Sequence, residues 1–335
     1  AKGAYSALVY IAGQGMVAFR DPYGIRPLIW GERKISMQNE YIFCSEKIAL
    51  DILEFDVVRD VDAGEAIFIN NNRKVFTKKI TTKPHTPCIF EYIYFARPDS
   101  LIDDISVYKS RKRMGEKLAK QVKAANLDID IVVPVPDSSR TAALELAHNL
   151  GLKYTEGLVK NRYIGRTFIM PGQAVRRKSI KHKLNPMEIE LKGKKVLIVD
   201  DSIVRGNTSR KIVEMVRKAG AEKVYMAIYS PPVKFPCVYG IDIPTSDELI
   251  ASKLSIDEIR QAIAADALFF ETVEDAHRAC IKGNPKLKRL CMGCFDGKYP
   301  TPDVTPDVLK RMAEERTQEK SDYLDPADEQ LNLQI

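Results

Sequence analysis

Residues 196–209 read VLIVDDSIVRGNTS, and this stretch decides the fold. Its first four residues form an apolar, mostly β-branched run that is typical of a buried strand. Two adjacent carboxylates, Asp200 and Asp201, follow where such a strand would end, and small polar residues come next. Apolar residues then recur with helical spacing over residues 212–219, and Gly220 supplies a stop. The stretch therefore predicts a strand, a polar loop and a helix in direct succession.

The chemistry of this unit suits a phosphorylated sugar. In an open α/β sheet, ligands bind beyond the carboxyl ends of the strands, and the N–H groups at a helix N-terminus favour phosphate. Paired carboxylates can bind sugar hydroxyls or, through them, a magnesium ion. An ordinary strand, turn and helix with a solvated aspartate pair is the alternative that two carboxylates alone would favour.

The complete fourteen-residue string resembles the phosphoribosyl-pyrophosphate (PRPP) signature of the type I phosphoribosyltransferases. The resemblance implies an α/β fold in which helices flank a parallel sheet. It also implies that Asp200 and Asp201 bind ribose hydroxyls and Mg²⁺, and that a loop binds the 5′-phosphate. The residues of that loop are Ser202, Ile203, Val204, Arg205, Gly206, Asn207, Thr208 and Ser209.

A second strand-and-loop unit precedes the first. The run at 129–133 predicts a buried strand, and residues 140–150 predict a helix. Asp137, Ser138 and Ser139 between them can be a simple helix N-cap, or they can present N–H groups to an anion. The phosphoribosyltransferase family has its pyrophosphate loop here. The resemblance implies that these three residues bind pyrophosphate and that Ser138 joins the Mg²⁺ ligands.

A long basic connection lies before the PRPP stretch. Residues 160–184 read KNRYIGRTFIMPGQAVRRKSIKHKL, and they form either a mobile surface loop or a lid over an anionic substrate. The segment closely resembles the catalytic flap of the glutamine PRPP amidotransferase family, which implies that Lys160, Tyr163 and Arg166 are catalytic. With the blocks EYIYFARPDS, VPDSS and DDSIVRGNTS, the resemblance extends from residue 1 to about residue 300.

Residues 1–85 have a β-rich pattern of short apolar runs separated by turn signals. RDPYGIRPLIWG at residues 20–31 resembles the glutaminase domain of class II amidotransferases, which are N-terminal-nucleophile hydrolases. In such domains the nucleophile is a cysteine at the mature N-terminus, whereas residue 1 here is alanine. We therefore expect only the back portion of that domain, with its natural N-terminus missing and no glutaminase nucleophile in this chain.

The expected domains are a partial glutaminase domain at 1–85, a phosphoribosyltransferase domain at 86–304 and a charged tail at 305–335. Pro84 and Pro87 discourage regular structure where the first two meet. Directly after this linker, CIFEYIYF at residues 88–95 predicts a strand.

The six cysteines favour metal binding or plain burial over a disulfide framework, because the protein is expected to be cytoplasmic. A single C-x-x-C pair is a weak signal, and one pair with two single cysteines fits a zinc ribbon poorly. The iron–sulfur branch of the amidotransferase family has this arrangement of cysteines. The resemblance implies a 4Fe–4S cluster, with zinc as the alternative. The implied ligands are Cys88, Cys237, Cys291 and Cys294.

Composition narrows the class of partner. The chain has 52 Lys and Arg against 45 Asp and Glu, a net charge of +7 that suits an anionic ligand but is too diffuse to indicate nucleic acid. No apolar run approaches the ~20 residues of a membrane span, and no secretory signal begins the chain. We expect a cytoplasmic protein without a nucleic-acid or membrane partner.

The family resemblance implies a reaction and a regulation. Ammonia derived from glutamine would displace pyrophosphate from PRPP to give 5-phosphoribosylamine, the first step of de novo purine biosynthesis. The family also implies a homo-tetramer and purine nucleotides as feedback inhibitors. The alternative is a PRPP-binding or nucleotide-binding regulator on the same fold, which the complete flap argues against. A salvage phosphoribosyltransferase is a third possibility, disfavoured by the glutaminase remnant and the cysteines.

Overall fold

The computed structural model describes residues 1–36, 38–161 and 184–322. The strands are β1 Ser6–Ile11, β2 Gly15–Arg20, β3 Ile29–Ile35, β4 Gln38–Cys44, β5 Asp56–Asp60, β6 Glu65–Asn70, β7 Val75–Lys79, β8 Leu101–Ile102, β9 Ile105–Ser106, β10 Ile131–Pro134, β11 Lys153–Tyr154, β12 Leu158–Lys160, β13 Leu184–Pro186, β14 Lys195–Asp200, β15 Lys223–Ile228 and β16 Ala267–Phe270. The α-helices are α1 Lys47–Ile52, α2 Val107–Ala124, α3 Arg140–Leu150, α4 Glu188–Leu191, α5 Asn207–Lys218, α6 Ile250–Lys253, α7 Ile256–Ala262, α8 Val273–Ile281, α9 Gly293–Asp296 and α10 Pro306–Asp322. Within these ranges no helix is long and apolar enough to cross a membrane.

A five-stranded parallel sheet organises the larger part of the chain. Its strand order is β11-β10-β14-β15-β16, and every neighbouring pair is parallel. Side chains alternate between the two faces, so Leu197 and Val199 enter one core while Val196 and Ile198 enter the other. Because both faces are covered, β14 is apolar from residue 196 to residue 199, as parallel strands generally are. The predicted type I phosphoribosyltransferase fold, a parallel sheet flanked by helices, is confirmed.

Helices cover both faces of this sheet. On one face α2, α3 and α8 contribute Leu118, Leu146 and Ala276 to the larger core. On the other face α5 and α7 contribute Val213 and Ile259 to the second core. The helix after β10 and the helix after β14 therefore lie on opposite faces, which leaves a crevice between the carboxyl ends of these two adjacent strands.

The N-terminal region is β-rich, as predicted. Two antiparallel sheets, β1-β2-β6-β7 and β4-β3-β5, enclose a small core in which Trp30 and Phe43 stack with ring centroids 6.3 Å apart. The edge strand β1 exposes a run of three consecutive apolar residues to solvent. Leu8, Val9 and Tyr10 are 51%, 44% and 73% exposed.

The prediction of a strand at residues 88–95 is wrong. Cys88 forms an isolated parallel bridge with Cys291, and Glu91–Phe95 form a π-helix. A continuous apolar run is compatible with a buried strand or a buried helical turn, and its periodicity cannot separate them. Tertiary contacts decide here, because the run is enclosed by α2 and the end of β15.

Candidate active site

The sheet order identifies where a ligand would bind. In the order β11-β10-β14-β15-β16 the chain direction of the connections reverses between β10 and β14, which makes this a topological switch point. The two loops that the sequence singles out follow these two strands. Residues predicted from separate motifs are consequently brought to one edge of the sheet.

The carboxylates at the end of β14 meet the hydroxyls at the start of α3. Ser138 Oγ donates to Asp201 Oδ2 at 2.6 Å, and Ser139 Oγ donates to Asp200 Oδ1 at 3.4 Å. From the same loop, Ser202 Oγ donates to Asp201 Oδ1 at 2.6 Å. Asp200 and Asp201 are only 7% and 9% exposed, so the acid pair is enclosed by these donors.

Burial and like charge oppose ionisation of the pair. Burial, followed by the neighbouring Asp201, holds the pKa of Asp200 well above its usual range. Burial also raises the pKa of Asp201, against the hydroxyl donors Ser138 and Ser202 and the Arg111 guanidinium, which favour its charged form. Two adjacent buried carboxylates lose most of their mutual repulsion when a cation or a set of hydroxyl donors lies between them.

The loop after the acid pair ends in an uncapped helix. Gly206 has φ = +79°, and a Cβ there would lie 2.7 Å from Ile250 Cδ1, so both the conformation and the space call for glycine. In the described chain no side chain caps α5, which begins at Asn207. Its first-turn N–H groups and positive dipole end are thus available to an anion. Arg205 pairs with Glu248 at 2.8 Å and is held at the rim of the loop.

In the loop after β10, the Asp137 carboxylate pairs with two cationic side chains. Asp137 follows a cis peptide bond with Pro136, and its carboxylate pairs with Lys160 Nζ at 2.8 Å and with Arg140 at 3.6 Å. Lys160, which ends β12, therefore lies beside the loop that was predicted to bind pyrophosphate. The other two predicted flap residues, Tyr163 and Arg166, lie outside the described residues, and their roles stay predictions.

Two residues at this site were not predicted. Arg111 on α2 is fully enclosed and donates to the carbonyls of Tyr92 and Ala96 at 2.9 and 2.8 Å. Tyr229, directly after β15, is fully buried, and its hydroxyl lies 2.9 Å from the Ile93 carbonyl. A signal for Arg111 existed, because it occupies the apolar stripe of α2 where a charged residue needs internal partners. The sequence contained no comparable signal for Tyr229.

The predicted cysteine ligands lie in one region. Cys88 and Cys291 are joined through backbone pairing, since Ile89 N–H donates to the Cys291 carbonyl and Cys291 N–H donates to the Pro87 carbonyl. Cys294 receives the N–H groups of residues 234 and 235 at its carbonyl, which brings the segment containing Cys237 against it. Burial raises the pKa of all four thiols, and the neighbouring cysteines raise the pKa of Cys88, Cys291 and Cys294 further.

Comparisons with known proteins agree with this geometry. A family model described as "Phosphoribosyl transferase domain" matches residues 104–230. The amidophosphoribosyltransferase of Escherichia coli K12 is 52% identical over 312 residues, which are 92% of this chain and 62% of that protein. The amidophosphoribosyltransferase of Pseudomonas aeruginosa is 49% identical over 317 residues, 94% of this chain and 63% of that protein.

Two solved structures match the fold over the same region. One is described as the allosteric regulatory enzyme of purine biosynthesis, with a TM-score of 0.78 and 42% identity over 92% of this chain and 66% of that one. The other is the glutamine PRPP amidotransferase of B. subtilis complexed with ADP and GMP, with a TM-score of 0.77 and 43% identity over 91% of this chain and 66% of that one.

The sheet order, the acid pair at the switch point and the uncapped helix define a type I phosphoribosyltransferase domain. The matches to amidophosphoribosyltransferases cover more than nine-tenths of the sequence. This chain is similar to these enzymes, and it spans 62 to 63% of the length of the two curated relatives described above.

Proposed function

We propose that this chain carries the phosphoribosyl-transfer site of an amidophosphoribosyltransferase. Ammonia forms a bond to the anomeric carbon of PRPP, the bond from that carbon to pyrophosphate breaks, and pyrophosphate leaves with the electron pair. The products are 5-phosphoribosylamine and pyrophosphate, in the first step of de novo purine biosynthesis. The observation that carries the proposal is the hydrogen bond of 2.6 Å between Ser138 and Asp201 across the switch point.

Each part of the site has a role in that reaction. Asp200 and Asp201 accept hydrogen bonds from the ribose hydroxyls, and their negative charge favours the positive charge that develops on the sugar in an oxocarbenium-like transition state. Residues 202–209 bind the 5′-phosphate at the N-terminus of α5. Asp137, Ser138 and Ser139 hold the departing pyrophosphate, and Lys160 lies beside them to offset its charge.

The donor set at the switch point fits Mg²⁺. This ion typically takes one or two protein carboxylates and completes its shell with water and substrate phosphates. Asp200, Asp201 and Ser138 would hold it, since Ser138 Oγ lies 2.6 Å from Asp201 Oδ2 and Asp200 is the adjacent carboxylate. When bound, Mg²⁺ neutralises part of the charge on the pyrophosphate group.

We also propose a 4Fe–4S cluster on the four cysteines. The four thiols lie in one region, and neighbouring cysteines raise the pKa of Cys88, Cys291 and Cys294. This proximity supports a shared metal centre. The arrangement of one C-x-x-C pair and two single cysteines, as in the iron–sulfur branch of the family, favours the cluster over zinc. The ligands of the cluster are Cys88, Cys237, Cys291 and Cys294.

The cluster has a direct test. Protein purified without oxygen should contain about four iron and four sulfide per chain and show a broad visible absorbance that air destroys. Zinc at about one per chain, with no sulfide, would contradict the proposal. The Cys44→Ser variant is the matched control, because Cys44 is a half-buried thiol of the N-terminal sheet.

The N-terminal region is proposed to be the back portion of a class II glutaminase domain, without its nucleophile in this chain. The exposed apolar side chains of β1 support this, because a monomer rarely leaves such an edge strand uncovered. From the family relation we further propose a cytoplasmic homo-tetramer that purine nucleotides inhibit. No nucleic-acid partner is proposed.

The proposed function is tested by incubating anaerobically purified protein with PRPP, Mg²⁺ and either ammonia or glutamine, and measuring the release of pyrophosphate. Release with ammonia but not with glutamine supports both the transfer site and the missing nucleophile. Release with glutamine contradicts the missing nucleophile. A folded protein that binds PRPP tightly but releases no pyrophosphate with either donor favours the PRPP-binding regulator instead.

A further inference from the structure

We infer that Tyr229 is a positioning residue for the pyrophosphate loop, which its hydroxyl connects to the π-helix at the junction of the two domains. The inference rests on the proposed transfer function. It concerns a residue that lies under the site and contacts no substrate in that proposal.

The backbone of Tyr229 is already part of the site. Its N–H donates to the Asp200 carbonyl at 3.1 Å, and the N–H of Ser230 donates to the Asp201 carbonyl at 3.1 Å. The residues after β15 thus run beside the acid pair of the neighbouring strand. The side chain of Tyr229 points away from solvent, with no exposed surface, and packs within the larger core.

The phenol hydroxyl lies between two carbonyls from different elements. It is 2.9 Å from the carbonyl oxygen of Ile93 in the π-helix and 3.2 Å from the carbonyl oxygen of Ser138 in the pyrophosphate loop. A phenol has one proton to donate, so the two carbonyls share it or compete for it. The hydrogen bond to Ile93 is buried and the one to Ser138 is partly buried, so this hydroxyl restrains both carbonyls.

The Ile93 carbonyl needs an external donor because of the way the π-helix ends. A π-helix pairs residue i with residue i+5, which here is Pro98 and has no N–H. The N–H of Arg97 is unavailable as well, because it donates to Glu46 at 2.8 Å. The end of the π-helix is thus completed from outside, by Tyr229 at Ile93.

Arg111 donates hydrogen bonds to two further backbone carbonyls at the end of the π-helix. It donates to the carbonyls of Tyr92 and Ala96, and its charge also favours the ionised form of Asp201. Two buried side chains therefore connect the π-helix to the site, Arg111 toward the acid pair and Tyr229 toward the pyrophosphate loop. Tyr229 is the one whose polar group can be removed without changing charge.

The Ser138 carbonyl matters because of the hydroxyl on the same residue. Ser138 Oγ donates to Asp201 and is the proposed contact to Mg²⁺ and pyrophosphate. A hydrogen bond at the carbonyl restrains the peptide that carries this side chain. Without it the loop samples more orientations, and pyrophosphate binding weakens, while the 5′-phosphate loop, to which the Tyr229 hydroxyl makes no hydrogen bond in the described structure, is unaffected.

The test compares two inhibition constants on the full chain. Tyr229→Phe should raise the inhibition constant of pyrophosphate about tenfold and change that of ribose 5-phosphate less than about twofold. Ribose 5-phosphate occupies the 5′-phosphate loop but lacks pyrophosphate. Because an inhibition constant does not depend on the fraction of folded enzyme, partial misfolding cannot imitate this split. Tyr239→Phe is the control, since it removes a buried phenol that bonds Thr301 instead.

The outcomes separate this inference from the function on which it rests. Equal changes in both constants, or no change in either, would overturn the positioning role while wild-type turnover still upheld the transferase. A wild-type chain that neither binds nor converts PRPP would instead overturn the proposed function. A Tyr239→Phe variant with the same selective rise would also overturn the inference.

Discussion

Replacing Glu271 with glutamine should stabilise the protein above neutral pH and leave its stability unchanged near pH 4. Glu271 follows β16 and is 1% exposed. Its Oε1 accepts from the N–H of Thr272 and from Gln121, whereas its buried Oε2 has no hydrogen-bond partner in the described structure. Burial therefore raises the pKa of Glu271 to about 7, with Asp275 adding to the rise and Lys117 opposing it.

The sign and size follow from proton linkage. Between pH 4.5, the ordinary pKa, and about pH 7 the folded protein retains a proton at Glu271 that the unfolded chain has lost. The unfolding free energy consequently falls as pH rises through this interval, and the loss is complete above it. A difference of about 2.5 pKa units at about 1.4 kcal/mol each gives roughly 3 kcal/mol. Glutamine cannot ionise, so the variant should avoid this loss.

Unfolding measured by urea at several pH values checks the prediction. The variant should match the wild type near pH 4 and exceed it at about pH 8 by roughly 3 kcal/mol, or about 6–12 °C in melting temperature for a domain of this size. Glu222→Gln removes an exposed carboxylate just before β15 and serves as the control. If the Glu271→Gln and wild-type stabilities differ by the same amount at every pH, the buried carboxylate does not titrate as argued.

Three further changes test other parts of the structure. Asp200→Asn should reduce ammonia-dependent pyrophosphate release at least ~100-fold. The same variant should have a higher melting temperature in EDTA than the wild type, because it removes half of a buried like-charge pair. A lower melting temperature would contradict this. Cys237→Ser should lower iron content and melting temperature together, whereas Cys44→Ser should change neither; equal effects would argue against a specific ligand. Relative to the wild type, Asp60→Asn should gain stability as the pH rises from about 4 to about 6, because burial and Asp103 raise the pKa of Asp60 to about 6; a gain that does not change over this interval would refute it.

The sequence was sufficient for the parts of the fold that are determined locally. The stretch at 196–209 predicts a strand, a polar loop and a helix. In the structure, β14 and α5 lie at the predicted positions of the strand and the helix. The helix predicted at 140–150 has the bounds seen in the structure. In these segments apolar periodicity and glycine stops indicate the same element, so little is left for tertiary contacts to decide.

Non-local features were beyond such an argument. The π-helix of residues 91–95 owes its shape to donors from α2 and β15, more than fifteen positions away in the case of Arg111. Strand β5 at Asp56–Asp60 is mostly polar and exposed, and it forms because β3 offers a free edge. The pairing of Ser138 with Asp201 joins positions 63 residues apart, so the sequence can name both residues and only the sheet order brings them together.

The same switch point explains why the site combines groups that repel. A crevice between β10 and β14 brings the ends of two strands together, and here both ends carry acidic residues, Asp137 on one and the pair Asp200 and Asp201 on the other. Lys160 pairs with Asp137, whereas the Asp200 and Asp201 pair receives only hydrogen bonds from serine hydroxyls among the contacts described above. A substrate that presents a metal-bound pyrophosphate and two ribose hydroxyls would supply both kinds of partner at once. The cost of burying Asp200 and Asp201 is thus recovered when such a substrate binds, which ties the stability of this edge of the sheet to its occupancy.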